Sequence, residues 1–83
     1  MPLYLDEHDH IPGLTAEAVA GAHARDLEVQ GGYGVSYLRY WYDEATGKVF
    51  CLVDAPSADV ATEVHRVAHG LLADRLTEVR EGI

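Results

Sequence analysis

Hydrophobic and polar positions change their period several times along the chain, and each change marks an element. In "PLYLDEH" they alternate, with Leu3, Leu5 and Glu7 on one face and Tyr4, Asp6 and His8 on the other, as in a strand. "IPG" breaks the alternation. Thr15 is placed to cap a helix over "AEAVAGAHARDLEVQ", which the glycines of "GGYG" end. "VSYLRYWY" is rich in aromatic and β-favouring residues and predicts a second strand. The turn "DEATGK" joins it to a third strand, "KVFCLVDA", as a hairpin. Ser57, behind Pro56, is placed to cap a helix over "ADVATEVHRVAHGLL", and "DRLTEVR" predicts a fourth strand.

The order is β-α-β-β-α-β, an α+β chain on the ferredoxin-like plan: an antiparallel sheet with two helices on one face. The strands are nonetheless apolar on both parities. Val49, Cys51 and Val53 alternate with Phe50 and Leu52, and Leu38, Tyr40 and Tyr42 alternate with Val35, Tyr37 and Trp41. An uncovered sheet face of that composition predicts a homodimer packed sheet against sheet.

With 83 residues, the expectation is one domain, 1–83. The formal charge of −8 argues against nucleic acid and anionic membranes as partners, and suits a cation. Cys51 is the one cysteine, which rules out an intramolecular disulfide framework. A basic leader and a run long enough to span a bilayer are both lacking, so the expected location is cytoplasmic.

Three places hold chemistry-bearing side chains. In the opening strand Asp6, His8 and His10 point one way while the strand persists; Asp-x-His there is either two ligands for a hexacoordinate ion or a solvated strand end. On the first helix, Ala16, Val19, Ala22 and Leu27 mark the buried side, and His23, Asp26 and Gln30 fall in the same sector. Burying such groups unpartnered costs about 1–3 kcal/mol each, so partners are expected. They make either a satisfied core or a small polar cavity. On the second helix the buried face is Val60, Val64, Val67, Ala68 and Leu71. His65 and His69 lie beside it, four apart, as a chelating pair or by chance. Cys51, inside an apolar strand, reads as a small buried hydrophobe.

Taken together, "LDEH", "AHARDLEVQ", "CLVDAPSADVATEVH" and "ADRLTEV" resemble a family of small bacterial proteins known as a domain of unknown function, with a nickel-binding branch. The resemblance implies a ferredoxin-like dimer and non-catalytic binding of nickel, or another divalent transition metal, in sequestration or homeostasis. It implies as ligands Asp6 and His8 of the first strand, His23 and Asp26 of the first helix, and His65 of the second. It assigns nothing to His69, where "AHGLLAD" differs from the family's Gly-His-Pro-Ala-Asp. The alternative is a small dimeric α+β barrel enzyme or small-molecule binder that uses His23 and Asp26 in a pocket.

Overall fold

The strands are β1 (Leu3–His8), β2 (Ser36–Asp43), β3 (Lys48–Asp54) and β4 (Arg75–Val79), and the helices α1 (Ala16–Val29) and α2 (Ala58–Ala68). The computed structural model describes residues 2–82. The strands form one sheet in the order β2-β3-β1-β4, every pair antiparallel. The element order is as the pattern predicts, and this α+β arrangement is consistent with the ferredoxin-like plan. Both caps form: Thr15 Oγ1 accepts from the Ala18 N–H and Ser57 Oγ from the Val60 N–H. A 3-10 helix, Gln30–Tyr33, follows α1 and ends on Gly34, whose φ of +67° is open to glycine at no steric cost. No helix among the described residues is long and apolar enough to cross a membrane.

The β2–β3 ladder contains a bulge that the alternation in β2 does not announce. Tyr37 pairs with Val53, but Arg39 pairs with Leu52 and Tyr40 with Cys51, so Leu38 is an extra residue. Before the bulge the odd positions face the helices; after it the even ones do. Tyr37, Tyr40 and Tyr42 therefore share the helix side, whereas the sequence pattern sets Tyr37 apart from the other two. Leu38 and Trp41, each 49% exposed, belong to the opposite side with Leu3, Leu5, Phe50 and Leu52.

The core lies between the sheet and the helices. Val35, Tyr37, Val49, Cys51 and Val53 supply the sheet side, and Val19, Ala61, Val64 and Ala68 the helix side. The helices turn differently from the predicted faces. In α1 the buried positions are Val19 and Asp26, seven apart on one stripe, while Ala16 and Leu27 are exposed. In α2 the stripe is Ala61, Val64, His65 and Ala68, and Val67 is 55% exposed. His65 thus occupies the middle of the apolar stripe instead of its edge. The helix also ends four residues earlier than predicted. Gly70 adopts φ +78°, and the N–H groups of His69 and Gly70 both donate to the His65 carbonyl, at 3.1 and 2.8 Å. Leu71 is left beyond the helix and exposed.

The β1–α1 segment is fastened to the hairpin turn. The Ile11 N–H donates to the Gly47 carbonyl at 2.9 Å, and His10 Nδ1 lies 2.9 Å from the Thr46 carbonyl. His10 is therefore spent on the loop. A Cβ on Gly47 would stand 2.7 Å from His10 Nδ1 and 3.0 Å from the Ile11 backbone, on a residue with φ +78°. Gly47→Ala should cost about 1–3 kcal/mol of stability, read as a lower denaturant midpoint at unchanged slope.

Candidate metal centre

The sheet register builds the floor. Asp6 and Cys51 are direct partners across β1 and β3, on the helix side, and His8 follows Asp6 two residues on. α2 carries His65 over this floor. Its Nε2 lies 2.8 Å from Asp6 Oδ2, and His8 Nε2 lies 3.5 Å from Asp6 Oδ1. The His65–Asp6 pair is close but not aligned as a hydrogen bond. Both Asp6 oxygens and His65 Nε2 are buried without a hydrogen-bond partner. One ligand atom each from Asp6, His8, Cys51 and His65 falls within 4.8 Å of the others, and all four residues are buried.

The other nitrogen of His65 faces α1. His65 Nδ1 lies 2.8 Å from Asp26 Oδ1, and His69 Nε2 approaches the same oxygen at 3.1 Å. Asp26, His65 and His69 form a second set with donor-atom spacing suited to a cation. Here the hydrogen-bond network fixes a tautomer. The Leu71 N–H donates to His69 Nδ1 at 3.0 Å, which puts the proton of the neutral ring on Nε2, directed at Asp26. The ring of Tyr37 stacks on His65 at 4.5 Å, and its hydroxyl donates to the Ala61 carbonyl at 3.0 Å. The imidazole is thus held on three sides.

The polar groups noted on α1 divide. Asp26 reaches the two α2 histidines, and Gln30 accepts from the Tyr37 N–H at 2.8 Å. His23 packs on Tyr40 at 4.7 Å, its Nδ1 unpartnered, outside both donor sets. It does line a pocket of about 50 Å³ shared with His8, Asp26, Cys51, His65 and His69, walled by apolar residues such as Leu14 and Leu71. Glu7 and Asp9 turn away and meet Arg75. Two members of these sets, His69 and Cys51, are not among the ligands that the family resemblance implies. The i, i+4 spacing to His65 was the available signal for His69. For Cys51 there was none, because its pairing with Asp6 depends on strand register.

Charge in the centre follows from burial set against partners. Burial alone would raise the Asp6 carboxyl, but contacts with His65 and His8 outweigh it and hold the group at about 2. Burial likewise acts to raise Asp26, and His65 and His69 lower it overall. For His65, burial acts downward and the carboxylates of Asp26 and Asp6 lift the ring to about 9. Burial and then the Asp6 charge push the Cys51 thiol up, so it is a neutral thiol at neutral pH. In the metal-free protein His65 is an imidazolium between two carboxylates.

Stability should follow that charge state. The contribution of His65 is whole below its ordinary value of 6.5 and is lost as pH rises towards about 9. The contribution of Asp6 is whole above 3.8 and is lost as pH falls towards about 2. Thermal melts of metal-free protein in chelator should give the highest Tm between these limits, with a decline on both sides.

Comparisons with known proteins meet this geometry. No curated protein matches the chain. The crystal structure of SCO4226 from Streptomyces coelicolor A3(2) superposes with a TM-score of 0.90 at 33% identity, covering 98% of this chain and 99% of that one. The profile of the nickel responsive protein SCO4226-like family matches residues 4–79, nearly the whole length. The chain belongs to the nickel responsive SCO4226-like family.

Proposed function

We propose that this protein binds a divalent transition metal, nickel first, without catalysing a reaction, and serves in its sequestration or homeostasis. The observation that carries this reading is the buried convergence of Asp6, His8 and His65 with hydrogen-bonding capacity left unused on Asp6 and His65. Buried polar atoms without partners are costly, and a cation held by carboxylate and imidazole would satisfy them. The family's nickel-responsive description supports nickel among the ions that such a set accepts.

Asp6, His8 and the Nε2 of His65 would hold the ion. Neutral imidazole has a single lone pair in the ring plane, so His65 serves one of its two donor sets at a time. The His69 tautomer favours the Asp6 side. Asp26 then takes the Nδ1–H of His65 and orients the ring, with His69 supporting Asp26. His23 lines the space next to the ion. At about 50 Å³ that pocket admits waters that complete a coordination shell, and falls well short of the ~300–1,000 Å³ of small-molecule sites. The enzymatic use of His23 and Asp26 has less support, since Asp26 is committed to His65 and His69.

Two further expectations belong to this reading. Residues 1–83 act as one ferredoxin-like domain in the cytoplasm, with no role for nucleic acid or membrane. The outer sheet face, bearing Leu38, Trp41, Phe50 and Leu52, closes against a second copy of the chain.

Calorimetric titration of metal-free protein with nickel at neutral pH should show a single ion bound per chain, and affinity should fall as pH drops. Asp6→Asn should remove binding, and Asp26→Asn should weaken it roughly 10–100-fold. Absence of both heat and mass shift in the unmodified protein would defeat the reading. For the sheet face, Phe50→Asp should convert a dimer to a monomer in sedimentation velocity; a unmodified protein that sediments as a monomer rules the dimer out.

A further inference from the structure

We propose that Cys51 is a ligand to the ion in this centre, supplying a thiolate that makes the donor set nitrogen, oxygen and sulfur. The inference rests on the metal-binding reading above and adds to it a residue with chemistry of its own. Cys51 lies opposite Asp6 across β1 and β3 on the helix side, and its Sγ belongs to the group whose ligand atoms fall within 4.8 Å of one another. A second observation points to a ligand at the same place: Asp6 and His65, 0% and 2% exposed, direct into it oxygen and nitrogen atoms that make no aligned hydrogen bond. Cys51 also lines the pocket that His8, Asp26 and His65 share.

The neighbouring helix-side positions of β3 are Val49 and Val53, which fill the core with hydrocarbon. Only the position facing the floor's carboxylate carries sulfur. Ligation needs no redox partner. The S–H bond breaks, the sulfur keeps the electron pair and gives it to the ion, and the proton leaves to solvent through the pocket. A thiolate in the set also favours nickel, cobalt and zinc over magnesium, calcium and manganese.

Cys51 is the one cysteine of the chain, so any thiolate signal is its own. Nickel added to metal-free protein at neutral pH is followed by near-ultraviolet absorption, with retained ion counted in parallel by native mass spectrometry. The expected result is a sulfur-to-nickel charge-transfer band that saturates with the mass shift, and the same behaviour with cobalt as a second probe. Cys51→Ser and Cys51→Ala should lose the band. Nickel retained by the unmodified protein without such a band overturns the role of Cys51 and leaves binding through Asp6, His8 and His65 intact. No nickel retained at all overturns both readings.

Discussion

The placement of His65 between two carboxylates is the constraint on which the rest of the helix side depends. A charged imidazole has no stable place in an apolar stripe unless both nitrogens find anions. Asp6 comes from the sheet and Asp26 from α1, so this one ring ties three elements together. The surroundings follow. Tyr37 covers the ring face, the α2 turn ends on the His65 carbonyl, and His69 steadies Asp26 from the far side. A hydrophobic residue at this position would fill the space and leave two buried carboxylates facing each other.

The two sides of the ring are not equivalent. On the Asp26 side the carboxylate and both imidazoles have hydrogen-bond partners, down to the Leu71 N–H that fixes His69. On the Asp6 side short distances exist without aligned hydrogen bonds. Satisfied networks rigidify and orient; unsatisfied ones mark where something else belongs. The centre therefore combines a finished scaffold with an unfinished floor.

Most of the fold was legible in the sequence because caps, turns and alternation are local signals. Thr15, Ser57 and the hairpin glycine mark their boundaries without help from the rest of the chain. Of the site, Asp6 and His8 were legible as a strand pair, and His23, Asp26 and Gln30 as misplaced polarity on an apolar sector. What escaped depends on long-range geometry. The burial of His65 could not be read from α2 alone, because its partners lie 39 and 59 residues away in the chain. His69 needed the helix to end at Gly70, and Cys51 needed the register of β1 on β3. The resemblance to a family supplied part of what spacing could not.

The extra residue at Leu38 has a consequence for how the chain tolerates change. Alternation in β2 is reset there, so the side chains on either side of it obey opposite parities. Tyr37 can stack on His65 and Tyr40 can pack on His23 only because the two tyrosines stand three positions apart along the strand rather than two. Chain length at this point, more than composition, thus decides which aromatics line the centre and which form the outer face. In evolution, substitutions in β2 adjust one surface at a time, whereas a single-residue deletion would exchange the two.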